Sequence, residues 1–131
     1  MSSTAKNQLL SKDLKHVVSL PINENLICIK CISPKRIRFE VEYSLGKGTT
    51  ANSFLFTETD QSKSNAILIH PPGMNFEKVF LPELTQTLST STNLLVVIGH
   101  INPNRVALIK KLAETFENLT LISSNPAAKL L

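Results

Sequence analysis

The chain has 131 residues, 42% of them apolar, two cysteines and a formal charge of +4 at pH 7. That length suits one domain or part of one, with enough Leu, Ile and Val to bury a core. The basic residues are scattered and not interleaved with aromatics, which argues against a nucleic-acid surface. No apolar run approaches the ~20 residues of a membrane span, and the N-terminal residues lack the apolar centre of a secretion signal, so the expected location is cytoplasmic.

In chain order, residues 1–20 read as a polar, lysine-rich leader and residues 21–131 as the folded part. Residues 26–32 predict a first strand, LICIKCI. It carries Cys28 and Cys31 in a CxxC spacing. Residues three apart on a strand point to opposite faces, so the two sulfurs are not expected to share a disulfide or a metal. Ser33, Pro34 and Lys35 signal a turn. Residues 37–43 alternate, with Ile37, Phe39, Val41 and Tyr43 on one face and Arg38, Glu40 and Glu42 on the other, the pattern of a strand with one wet face. Gly46, Lys47 and Gly48 mark a tight turn. They do not make a phosphate loop, because Lys47 is not followed by Ser or Thr and Val41 stands where the first glycine belongs. Residues 53–57 and 66–70 predict two further strands around a polar loop at 59–65.

After Pro71, Pro72 and Gly73 the period changes. Phe76, Val79, Phe80, Leu84 and Leu88 fall at helical spacing, with Pro82 expected to kink or divide the helix. Residues 94–98 predict a buried strand. Val106, Ile109, Leu112, Ala113 and Phe116 predict a second helix, and residues 120–123 a last strand. A β-rich meander followed by βαβαβ is an α/β pattern. Near the C-terminus Ser124 or Asn125 and Pro126 start a helix that has little more than a turn left, either an interrupted element or a short docked tail.

Candidate chemistry gathers after the strand at 94–98, in the sequence GHINPNR. The ends of parallel strands are where α/β proteins place functional residues. If the strands ending at His70 and near Ile98 are parallel neighbours, His70 and His100 meet at one edge of the sheet. Two imidazoles begin a metal site but do not complete one. Asn102 or Asn104 can cap the second helix and Pro103 suits its first position. Arg105 in the first turn opposes the helix dipole, so an anion or a carboxylate is expected to compensate it.

Three motifs in order carry a resemblance: GTTANSFL from Gly48, AILIHPPG from Ala66, and GHINPNR from Gly99. They resemble segments of flavodiiron proteins, and of the cyanobacterial diflavin branch in particular. The resemblance implies the first half of a metallo-β-lactamase-like αββα sandwich, truncated before its second half. It also implies electron transfer from NAD(P)H through flavin to oxygen, with non-haem di-iron and FMN as the family's cofactors. In the family this loop reads His-x-Glu-x-Asp-His. Carried over, His100 keeps the first iron ligand, while Asn102, Asn104 and Arg105 stand for the Glu, the Asp and the second His. Two neutral amides and a fixed cation are not iron ligands. The expectation is a chain that is not catalytic alone and binds no cofactor. The alternatives are an interaction half-domain that pairs with an intact flavodiiron paralogue or with itself, and a small metal-binding module built on His70 and His100.

Overall fold

The computed structural model describes residues 15–34, 49–58 and 64–124. Six strands form one sheet in sequence order: β1 (His16–Pro21), β2 (Leu26–Ser33), β3 (Thr49–Thr57), β4 (Asn65–Ile69), β5 (Asn93–Ile98) and β6 (Asn118–Ser123). The pairs from β1 to β4 are antiparallel, and β4, β5 and β6 run parallel. Helix α1 (Glu77–Thr87), entered through a 3-10 turn at Met74–Phe76, connects β4 to β5, and α2 (Pro103–Thr115) connects β5 to β6. The meander followed by βαβαβ is the α/β architecture expected from the sequence.

Both crossovers step the same way across the sheet, so their handedness puts both helices on one face. There Phe80 and Leu84 of α1 and Leu108, Ile109 and Leu112 of α2 are buried with Ile29, Cys31, Leu55, Leu68, Leu94, Val96 and Ile98 of the strands. Those strand residues alternate with more exposed ones, as a sheet covered on one side requires. On the other face the pairing aligns Leu20, Cys28, Phe54, Ile69, Val97 and Ile122, one residue from each strand. In that row Leu20 is 47% exposed and Ile122 49%.

Two expectations are corrected. The polar leader does not extend to residue 20: His16–Pro21 pairs with β2 from His16↔Ile32 to Pro21↔Ile27. The two adjacent β-branched valines, Val17 and Val18, favour that strand over the polar residues around them. Of the two outcomes expected of Pro82, division does not occur: α1 is continuous from Glu77 to Thr87. Pro82 is exposed, so the carbonyl one turn back that loses its amide partner can face water. The strand expected at 37–43, the turn at 46–48, most of the loop at 59–65 and the helical turn after residue 124 lie outside the described residues.

The cysteines occupy opposite faces of β2 as expected, and both are free. Cys31 is buried among the core residues, and burial, with a smaller effect of the Glu83 charge, pushes its thiol up to about 12.

Candidate functional site

Parallel pairing of β4 with β5 brings the chain just beyond each strand to the same edge of the sheet. His70, one residue past β4, has a positive φ of 62°, a conformation uncommon outside glycine. Its backbone is held from both sides: His70 N–H donates to Val97 O at 2.9 Å, and the buried Ser53 hydroxyl donates to His70 O at 2.8 Å. Pro71 and Pro72 follow, both fully buried, and lead into the 3-10 turn. His100, two residues past β5, is exposed.

The loop after His100 closes onto α2 by a side-chain cap. Asn102 Oδ1 accepts from Arg105 N–H at 2.8 Å, and Pro103 takes the first helical position. That is how Asn and Pro act at a helix start, satisfying an amide the helix itself cannot. Asn104 turns the other way, and its Nδ2 donates to Asn75 Oδ1 at 2.7 Å. The contact depends on Gly73, because a Cβ there would collide with the Asn104 side-chain amide.

Arg105 is only 8% exposed. Its Nε donates to Pro71 O at 2.8 Å, its Nη1 donates to His100 O at 2.7 Å, and its Nη2 stands 3.5 Å from His70 Nε2. A guanidinium has only donors, so His70 Nε2 faces it as an acceptor. One side chain thus ties the chain after β4 to the chain after β5. The sequence led to an expected anion or carboxylate as compensation for this cation at a helix start. The contacts found include two main-chain carbonyls, which present negative dipoles to it.

These residues border an open cavity of about 560 Å³, also lined by Thr49, Thr50 and Ala51 of β3 and by Gly73, Asn75 and Phe76. The described residues of its wall include no Asp or Glu. Two residues that line it each keep a buried polar atom without a hydrogen-bond partner, Thr49 Oγ1 and Asn75 Nδ2. A buried donor left unpaired costs about 1–3 kcal/mol, and native folds keep few of them. The structure therefore gathers His100, Asn102, Asn104 and Arg105 at this cavity and joins His70 to them through the guanidinium. Among the described residues no three His, Cys, Asp or Glu are grouped as a metal ion would require. Sequence reading missed Thr49, Gly73 and Asn75. Thr49 lies within GTTANSFL and Gly73 within AILIHPPG, but neither motif says that the Thr49 hydroxyl is buried or that Asn104 packs against Gly73.

No protein-family profile matches the chain. It is 41% identical over 114 residues to diflavin flavoprotein A 6 of Nostoc sp. (strain PCC 7120), covering 87% of this chain and 19% of that protein. It is 36% identical over 122 residues to diflavin flavoprotein A 3 of Synechocystis sp. (strain PCC 6803), covering 93% of this chain and 20% of that protein. The chain thus spans about a fifth of the length of the curated relatives it matches. Among solved structures, residues 1–254 of diflavin flavoprotein A 5 from Nostoc superpose with a TM-score of 0.77 at 35% identity, over 88% of this chain and 44% of that one. A metal-soaked flavodiiron core from Synechocystis gives 0.76 at 36% identity, over 88% and 27%. A flavoprotein from Thermotoga maritima gives 0.78 at 16% identity, over 90% and 29%, a likeness of fold. By sequence and by fold together, the chain belongs to the flavodiiron family, with the cyanobacterial diflavin flavoproteins A.

Proposed function

We propose that the chain supplies the loop-bearing part of a flavodiiron-type metallo-β-lactamase domain in which this loop no longer holds iron. On its own it passes no electrons from NAD(P)H to oxygen. The observation that carries the reading is the seat of Arg105. A fixed cation, bonded to Pro71 O and His100 O beside the His70 ring, lies where the family's loop has a histidine ligand. The donors around it do not fit a di-iron centre. Asn102 Oδ1 is committed to a helix amide, Asn104 to Asn75, and no carboxylate lies among the described residues of the wall. Iron needs anionic oxygen and neutral imidazole, and a guanidinium repels it. His100 is the one family ligand retained, and no iron or FMN is assigned to this chain.

The test is metal analysis of the purified full chain after anaerobic incubation with Fe(II) and gel filtration, together with oxygen uptake in the presence of NADPH. Retained iron far below one per chain, and no oxygen uptake, is the expected result. Stoichiometric iron that survives the column would overturn the reading.

A second reading, an interaction half-domain, is favoured by the apolar row on the sheet face opposite the helices. Six aligned residues from Leu20 to Ile122 form a surface that a second layer would cover in a sandwich. The proposed partner is a flavodiiron paralogue or a second copy of this chain. Co-expression with a tagged diflavin flavoprotein A, followed by pull-down, tests it. No helix among the described residues is long and apolar enough to cross a membrane, and cytoplasmic residence is part of the proposal.

A further inference from the structure

We propose that the sheet face opposite the helices pairs with the same face of a second copy of this chain, about a two-fold axis that crosses the strands. The proposal rests on the reading of that face as an interface, and it names the occupant and its orientation. Of the seven large apolar residues that stand more than a third exposed among those described, six lie on this face: Val18, Leu20, Phe54, Phe56, Ile67 and Ile122. Strand pairing sets two apolar rows side by side. One runs from Leu20 through Phe54 to Ile122, and the next from Leu26 through Phe56 and Ile67 to Leu95. Six strands about 4.8 Å apart and about 20 Å long give roughly 600 Å² in projection. Side-chain relief raises that toward the ~800 Å² that each partner gives to a stable interface.

Charge selects the partner and its orientation. The two rows are flanked by unlike groups. On one side stands Lys30, beside Asn52, and it is the one Lys, Arg, Asp or Glu among the described strand residues of this face. On the other side stands Glu58, just past β3, at the head of a row continued by Asn65, Asn93 and Asn118. Asn65 Nδ2 donates to Glu58 Oε1, and Asn93 Nδ2 donates to Asn65 Oδ1 at 3.1 Å. The ion pairs among the described residues involve neither Lys30 nor Glu58. A two-fold axis across the strands, lying between the apolar rows, lays each row on the other. It also brings Lys30 of each copy to the side where the partner's Glu58 stands, so the contact occurs twice. Sheets packed face to face lie ~10 Å apart, a gap that a lysine and a glutamate reaching toward each other can span. A two-fold axis along the strands would instead set Lys30 opposite Gly99 just past β5, which offers no carboxylate. Unlike charges that meet in one orientation and not in the other fix register.

The experiment is sedimentation of the full chain over a range of concentrations, with the fold of each variant checked by circular dichroism. The parent is expected to form a dimer that dissociates on dilution. Lys30→Glu and Glu58→Lys each bring like charges together at both contacts, and each alone should raise the dimer dissociation constant about tenfold. Mixed in equal amounts, the two variants should pair with each other about as tightly as the parent does with itself, because opposite charges then meet at both contacts. Variants that had merely lost their fold would not recover on mixing. Lys78→Ala, on the exposed side of α1, should dimerise as the parent does. A mixture no tighter than its separate components would overturn the proposal, as would association that grows past the dimer. A monomeric parent that co-purifies with a co-expressed diflavin flavoprotein A would overturn the pairing of copies and leave the interface reading standing. A monomeric parent that captures none would overturn both.

Discussion

Arg105 shows how one residue can be legible in the sequence and still be understood only in three dimensions. Its position in the first turn of α2 is visible in GHINPNR, and so is its conflict with the helix dipole. What the side chain does about that conflict is not visible. It folds back 34 residues along the chain to Pro71 O, and it also holds His100 O. Replacing Arg105 with Leu leaves both carbonyls without that donor inside the fold, and should cost about 3 kcal/mol in urea unfolding. Arg105→Lys should recover only part of this, because an ammonium lacks the planar fork that reaches both carbonyls. Cys31 carries a different prediction at the same scale. Its thiol ordinarily titrates near 9, and in the folded chain it is raised to about 12 by burial and by Glu83. A raised thiol pKa means that the unfolded chain loses its proton first. Stability is therefore intact below about pH 9 and falls as pH rises from there toward 12, by up to about 1.4 kcal/mol per unit. Cys31→Val should flatten that decline in stability measured across alkaline pH, while native Cys31 should resist alkylation until the chain unfolds.

At the scale of elements, the sequence signals were local and strong where one chain segment decides the outcome. Asn102 caps α2, Pro103 starts it, and the apolar spacing from Val106 to Phe116 sets its buried stripe. Asn102→Ala should cost about 1 kcal/mol, measured by denaturant unfolding, because Arg105 N–H then loses its acceptor. The signals failed where pairing partners decide. β1 has only two β-branched residues among polar neighbours, and β2 makes it a strand by offering a free edge. Pro82 would break an isolated helix. α1 survives it because Phe80 and Leu84 on either side are fully buried against the sheet, so packing outweighs one lost hydrogen bond.

At the scale of the molecule, the described helices cover one side of the sheet and none of them covers the other. The helix-covered face has its core, while the opposite face shows Leu20, Phe54 and Ile122 in one row, with Phe56 and Ile67 beside it. Contiguous apolar surface of this kind favours association. The isolated chain should self-associate in a concentration-dependent way by light scattering. Phe54→Lys, placed mid-row on an exposed position, should shift it toward monomer with little loss of stability. A chain that stays monomeric at high concentration would count against this face as an interface.

The sequence by itself determined the order of elements from β3 to β6, the change from strands to helices along it, the helix cap and the family, because each depends on residues close together or on motifs that travel as units. It also placed His100, Asn102, Asn104 and Arg105 in one loop after a strand. Only the tertiary structure decided that β4 and β5 lie side by side, that Arg105 is buried across their ends, and that Thr49 and Asn75 border the same cavity while each keeps a buried polar atom without a partner. Those facts depend on contacts between segments far apart in the chain, and on which polar groups find a partner once the core has closed. Local pattern carries no record of either.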